Sequence, residues 1–256
     1  MSGERRDIDA PLANLVVVLA DTKYFLGRRL SEWAIGAPTL EAGIACAAIA
    51  QEELGHTRPL YSYLSQLDVP NGPVPLERDD DRERKYCLSF LRTELRSWSF
   101  AVAALLLVDS ALTIMLEGLA GTSGDVLGRR AARLIADEPT HHKFAVGRVR
   151  ELEAAGATRE LAAAAAEIMP ETLCWFGPAA EPGAAALQSA GLVAVDADRL
   201  RQLFLDRVMP VLALADVTGG IGWSPEQRRW HYDDLPWERW NALERNLRPA
   251  RPATAR

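Results

Sequence analysis

Apolar residues recur at helical spacing through the first 155 residues, and little in this part of the chain alternates with the period of a strand. Clusters of glycine and proline interrupt the pattern at three places. Thr39 follows the first of these breaks and is expected to cap a helix. The pattern therefore predicts four long helices: the first two at about residues 9–35 and 39–67, the third up to about 120 and the fourth at about 125–155. The charge run at residues 77–85 is either a solvated face or the start of the third. Short turns within each pair and a longer link between the pairs are typical of a four-helix bundle with one crossover.

The later part of the chain is less regular. Helices are predicted at about residues 159–169 and 196–217, and Pro210 is expected to kink the second. From Trp223 onward the sequence is aromatic and irregular, which is typical of a segment that packs across its own domain or a partner subunit. We therefore predict an all-α protein with a bundle over residues 1–155 and a helical extension over 156–256, disordered from about residue 248.

Composition narrows the class of protein. A net charge of −6 argues against a nucleic-acid binder. Residues 98–116 are apolar enough to resemble a membrane span, but they contain Asp109, and a carboxylate there costs about 2.5–3.5 kcal/mol on insertion scales. A buried helix of a soluble bundle is the favoured interpretation. No signal-peptide core precedes Asp9, and three cysteines without a Cys-x-x-Cys pair fit a reducing cytoplasm.

Two of the four histidines end a Glu-x-x-His motif. Glu53 and His56 lie on the second predicted helix, and Glu138 and His141 lie on the fourth. Residues three apart share one helix face, so both side chains of a motif can reach one ion. A single motif of this kind is usually a surface pair. Here each motif interrupts a stripe of small or apolar residues that turns inward, which predicts a buried site.

The other two helices offer matching carboxylates. Folding the first hairpin about residue 37 brings Asp21 level with Glu53, and Asp109 lies on the apolar stripe of the third helix, where Glu117 is the rival. Four carboxylates and two imidazoles are the ligands of a carboxylate-bridged two-metal centre. Oxygen and nitrogen ligands without thiolate suit two iron ions, with manganese as the alternative. The predicted metal ligands are Asp21, Glu53, His56, Asp109, Glu138 and His141.

Several neighbours of these residues have predicted roles of their own. Glu52 and His142 are expected to be outer-shell or solvated groups, and Asp137 to orient a ligand imidazole. Pro139 removes a backbone donor and is expected to distort the fourth helix at the site. His231, in the aromatic segment, is expected to be structural.

At these motifs the chain resembles the phenylacetate-catabolism family of ferritin-like proteins, the subunits of phenylacetyl-CoA epoxidase. The resemblance covers about residues 10–155, and it is carried by residues 26–33 (LGRRLSEW), 36–41 (GAPTLE), 50–58 (AQEELGHTR), 98–102 (WSFAV) and 108–109 (VD). That family has a catalytic subunit with a di-iron site and a structural subunit that has lost ligands. The LGRRLSEW segment looks like the structural subunit, and the two Glu-x-x-His motifs look like the catalytic one.

The resemblance implies a ferritin-like fold and a di-iron oxygenase that uses O2 to epoxidise or hydroxylate an aromatic or apolar substrate, such as the CoA thioester phenylacetyl-CoA. By resemblance, Asp21 stands where the catalytic subunit has a helix-one glutamate, and the other five predicted ligands match its remaining positions. A separate reductase is implied, since no flavin, nicotinamide or iron–sulfur motif is visible, and so is a homo- or hetero-oligomer with related subunits. The alternatives are a non-catalytic structural subunit and a ferritin-like ferroxidase.

Overall fold

The computed structural model describes residues 2–67, 69, 86–120, 126–218 and 220–249. Three predicted features therefore lie wholly or mostly outside the described residues: the link and charge run before residue 86, the turn at 121–124 and the tail beyond 249. The remainder is mainly helical, and it has the predicted all-α, ferritin-like architecture.

Helix α1 (Ser2–Gly36) and helix α2 (Leu40–Leu64) form the first hairpin of the bundle. The Thr39 side chain accepts a hydrogen bond from the backbone nitrogen of Ala42 and caps α2, as predicted. The two helices pack so closely that a Cβ added at Gly43 would lie 2.5 Å from the carbonyl oxygen of Ala34.

The third rod of the bundle consists of α3 (Trp98–Ala104), a π-helical turn (Leu105–Asp109) and α4 (Ser110–Ala120). Within the described part of the chain, this rod is the one helix long and apolar enough to cross a membrane, and its most apolar window is entirely buried in the fold. The π turn ends on Asp109, and such turns are frequent at functional sites.

The charge run at residues 77–85, predicted to be a solvated face or the start of the third helix, lies outside the described residues, and residues 86–97 are not part of the rod. A 3-10 turn (Ser89–Arg92) precedes the rod, and the helix begins only at Trp98. The side chain of Ser97 accepts a hydrogen bond from the backbone nitrogen of Phe100, so Ser97 caps the helix at that point.

The fourth rod is broken at the predicted site. Instead of one helix over residues 125–155, the structure has α5 (Val126–Ile135) and α6 (Glu138–Ala154). Pro139 is in the first turn of α6, where a missing N–H costs nothing, whereas in a continuous helix its ring would clash with the carbonyl of Ile135. The predicted distortion by Pro139 is confirmed.

The extension contains three further helices: α7 (Thr158–Trp175), α8 (Pro182–Ser189) and α9 (Ala197–Leu212). Helix α7 runs past the predicted end, and α8 was not predicted. Helix α9 ends earlier than predicted, and a 3-10 turn (Ala213–Ala215) follows it.

The aromatic segment forms two short antiparallel hairpins, and the second of them packs against the chain's own helices. Arg245 is buried, and its Nε donates to the carbonyl oxygen of Trp175 at 3.0 Å. The same guanidinium pairs with Glu181 at 3.0 Å, and the backbone nitrogen of Leu247 donates to Glu171. The hairpin strands are β1 (Gly222–Ser224), β2 (Arg229–His231), β3 (Trp240–Asn241) and β4 (Asn246–Leu247).

Candidate metal site

Four buried side chains from three rods meet inside the bundle. Glu53 comes from α2, Asp109 from the π turn, and Glu138 and His141 from α6. One ligand atom from each of the four lies within 4.8 Å of the others, and no residue in the group is more than 2% exposed. We call these four residues the carboxylate–histidine group. The structure thus brings together four of the six predicted ligands in an arrangement that can hold a metal ion.

Each motif histidine is oriented by the acidic residue that comes directly before the other motif. Nε2 of His141 lies 2.7 Å from Oε2 of Glu52, and Nε2 of His56 lies 3.1 Å from Oδ2 of Asp137. Each acidic residue immediately precedes the glutamate of its own motif. Both Nδ1 atoms therefore face the carboxylate–histidine group, which is the arrangement that outer carboxylates impose on metal-binding histidines.

His56 lies beside the group, and its inward nitrogen makes no hydrogen bond to any described residue. His56 is 7% exposed, and its buried Nδ1 is 4.0 Å from Oε1 of Glu53 and 3.8 Å from Oε1 of Glu138. A buried acceptor without a partner is costly. A lone pair directed at two carboxylates fits a cation-binding position.

Helix α1 contributes a cation to the site, which sequence reasoning missed. Lys23 is fully buried, and its Nζ lies 3.0 Å from both carboxylate oxygens of Glu53 and 2.9 Å from Oε1 of Glu138. Lys23 continues a buried stripe of small and apolar residues on α1 that includes Ala20 and Gly27. A single charged residue on such a stripe was the signal that could have identified it.

The charges of the group depend on one another. Burial opposes a charged Lys23, but the carboxylates of Glu138 and Glu53 outweigh it and raise the pKa of the ammonium. Burial likewise opposes ionisation of Glu138, but Lys23 holds the pKa of that carboxyl below its ordinary value. Burial, and then the charge of Glu138, raise the pKa of Asp109. For His141, burial opposes the charge, but hydrogen bonds to Asp109 and Glu138 raise the pKa. Without a metal ion, the cationic groups of Lys23 and His141 thus offset part of the negative charge of the carboxylates.

Asp21, the ligand predicted on the first helix, is not in the carboxylate–histidine group. Its Oδ1 accepts a hydrogen bond from the hydroxyl of Tyr61 at 2.5 Å, and its Oδ2 accepts one from the backbone nitrogen of Tyr86 at 3.3 Å. Asp21 and Lys23 are two residues apart, so they point to different sides of α1. The helix-one side chain that reaches Glu53 is therefore Lys23.

The remaining predicted neighbours lie at the edge of the site. Glu117, the rival on the third rod, is 3.3 Å from the guanidinium of Arg207 and is not in the group. His142 is half-buried and lines a cavity of about 250 Å³, and the inner wall of this cavity includes Glu138 and Thr113. The hydroxyl of Thr113 donates to Oε2 of Glu138 at 3.3 Å. This cavity therefore leads from the surface to a carboxylate of the group.

Comparison with known protein families gives a match. The family described as Phenylacetic acid catabolic protein matches the chain over residues 4–246, which includes the bundle, the extension and both hairpins. A search of curated proteins returned no match.

Proposed function

The chain belongs to the phenylacetic acid catabolic protein family, and on that premise we propose that it is the metal-binding oxygenase subunit of a multicomponent monooxygenase. The family places the chain in phenylacetate catabolism. The proposed reaction is epoxidation or hydroxylation of an aromatic or apolar substrate by O2, with the CoA thioester phenylacetyl-CoA as the first candidate. The proposed partners are a separate reductase and related subunits.

The observation that carries this proposal is the buried carboxylate–histidine group. Burying several charged groups together costs several kcal/mol per ion, and an apolar core of the same volume is often as stable or more so. A bundle that needed only to fold would gain little from Glu53, Asp109 and Glu138 in its interior. Clusters of perturbed ionisable groups are found preferentially at functional sites.

Each residue of the site has a role in this proposal. Glu53, Asp109, Glu138 and His141 would hold the metal, while Glu52 and Asp137 keep the imidazole Nδ1 atoms directed inward. Iron, of which the sequence predicts two ions with manganese as the alternative, would supply the reductive activation of dioxygen. The surrounding apolar helices exclude bulk water. The cavity beside Glu138 is the route by which a small molecule would approach.

A second candidate function is favoured by one specific observation. Lys23 makes hydrogen bonds to Glu53 and Glu138 from the centre of the site, as a substitute for a metal ion would in a non-catalytic subunit. In that case the ion pairs would preserve the shape of the bundle, and a related subunit would carry out the oxygen chemistry.

Turnover in a reconstituted system separates the two functions. The full chain, loaded with ferrous ion and combined with a reductase of this class, is expected to convert phenylacetyl-CoA to an oxygenated CoA thioester, detected by mass spectrometry. Glu53→Gln should abolish the product. A chain that raises the activity of a related catalytic subunit equally well with or without Glu53 would be a structural subunit.

A further inference from the structure

We propose that the site holds one divalent metal ion and not two, and that the ammonium group of Lys23 takes the place of the second ion. The inference rests on the proposed metal-binding function and concerns the same site. It follows from the hydrogen bonds of Lys23, the position of His56 and the charge of the group.

The Lys23 ammonium has all of its hydrogen bonds satisfied by the group. An ammonium has three N–H donors, and three carboxylate oxygens lie 2.9–3.0 Å from Nζ: both oxygens of Glu53 and Oε1 of Glu138. A metal ion bound to the same oxygens on the same side would compete for their lone pairs and repel the ammonium. Lys23 therefore excludes a cation from this side of the group.

His56 faces the position that the ammonium occupies. Its Nδ1 is directed at Oε1 of Glu53 and Oε1 of Glu138, at 4.0 and 3.8 Å, and these are two of the three oxygens that bind Lys23. In a centre with two ions, a histidine in this place would bind the second ion. All three N–H donors of the ammonium are taken by carboxylate oxygens, so none is left for the Nδ1 lone pair of His56, which makes no hydrogen bond within the described chain.

The opposite side of the group has a complete set of ligands for one ion. Nδ1 of His141 lies 3.5 Å from Oδ1 of Asp109, 3.5 Å from Oε2 of Glu138 and 3.3 Å from Oε1 of Glu53. Oε2 of Glu138 does not bind Lys23, and Oε1 of Glu53, which does, has a second lone pair available. Three carboxylates and one imidazole are a suitable ligand set for a single ferrous or manganous ion.

The charge of the group also favours one bound ion. With His141 neutral, as a metal-bound imidazole must be, the three buried carboxylates and the ammonium together carry two negative charges, which one divalent ion neutralises. A second divalent ion would leave two uncompensated positive charges in the bundle interior, at a cost of several kcal/mol for each buried charge. Glu52 and Asp137 would not compensate, since their side chains are 45% and 54% exposed and are screened by solvent.

The experiment measures bound iron per chain after anaerobic loading of the full-length protein with ferrous ion, removal of free metal and elemental analysis. The wild type is expected to bind about one ion, as the neutral charge count requires. His141→Ala should abolish binding, whereas His56→Ala should leave it unchanged. Lys23→Glu replaces the ammonium with a carboxylate and should raise the content to about two ions. In the Lys23→Glu background, His56→Ala should remove the added ion.

The outcomes separate this inference from the proposed function. About two ions in the wild type, or loss of the ion in His56→Ala, would overturn the inference and leave a metal-dependent function intact. A folded wild-type chain that binds no ferrous ion would overturn the proposed function itself. Circular dichroism checks that each variant retains its helices. If Lys23→Glu does not fold, the comparison of His56→Ala with His141→Ala still decides the question.

Discussion

The ring of His141 on α6 is held by the carboxylate of Glu52 on α2, with Nε2 and Oε2 2.7 Å apart. His56 and Asp137 form the corresponding pair in the opposite direction, at 3.1 Å. The acidic residue before each Glu-x-x-His motif thus orients the histidine of the other motif. These two contacts link α2 to α6 and to the break that precedes it, and they direct both Nδ1 atoms inward.

Glu52→Gln tests the orienting role of this pair. The amide keeps the size of the side chain but removes the charge that stabilises the imidazole, so affinity for ferrous ion should fall by about 10–100-fold. Anaerobic titration measures the affinity. The control is Glu153→Gln, the same change at an exposed position near the end of α6, which should leave the affinity unchanged. Equal affinity in the wild type and Glu52→Gln would mean that the pair has no influence on the metal.

Glu53→Ala is expected to abolish iron binding, because Glu53 contributes a carboxylate to the carboxylate–histidine group. Glu117→Ala is the matched control from the third rod. Its carboxylate pairs with Arg207 at 3.3 Å, so its loss should leave the iron content unchanged. Iron content by elemental analysis is the measurement. Loss of iron in Glu117→Ala would show that the helix-three ligand has been wrongly assigned to Asp109.

Asp21→Asn distinguishes the predicted helix-one ligand from the position seen in the structure. The Asp21 carboxylate binds the hydroxyl of Tyr61 and the backbone nitrogen of Tyr86, so the amide should weaken these contacts and lower the free energy of unfolding by about 1–3 kcal/mol. Iron content should not change. Urea denaturation and elemental analysis give the two values. A variant with normal stability and no iron would establish Asp21 as a metal ligand.

Replacing two glycines of α2 by alanine should change the free energy of unfolding in opposite directions. Gly43→Ala places a Cβ 2.5 Å from the carbonyl oxygen of Ala34, which forces α1 and α2 apart and should cost about 1–3 kcal/mol of unfolding free energy. A Cβ at Gly55 meets nothing within 4 Å, so Gly55→Ala should stabilise the helix by about 0.5–1 kcal/mol. Urea denaturation measures both. Similar changes in the two variants would contradict the close packing of the hairpin.

The features that could be predicted from the sequence depend on local signals. Thr39 caps α2 because its side-chain oxygen accepts a hydrogen bond from a free backbone N–H of the first turn, and Pro139 breaks the fourth rod because it cannot donate a backbone hydrogen bond. The motif pairs Glu53–His56 and Glu138–His141 were predicted from their spacing of three, and the structure buries all four side chains.

The features that could not be predicted depend on how each helix is rotated about its axis and on which side chains meet inside the bundle. A small error in the rotation of α1 exchanges the inward positions of Asp21 and Lys23, since residues two apart lie on different sides of a helix. A buried lysine is rare unless it is paired, so Lys23 could be assigned to the interior only once its partners Glu53 and Glu138 were in place. The late start of the third rod depends on the side-chain cap of Ser97.

The most direct test of the account is anomalous scattering at the iron edge from crystals of the full chain grown anaerobically with ferrous ion. We predict a peak within bonding distance of Glu53, Asp109, Glu138 and His141, with His141 bound through Nδ1. Crystals of the folded protein that have no peak at this position, and in which Lys23 still binds both glutamates, would contradict a metal-dependent oxygenase and identify the chain as a structural subunit.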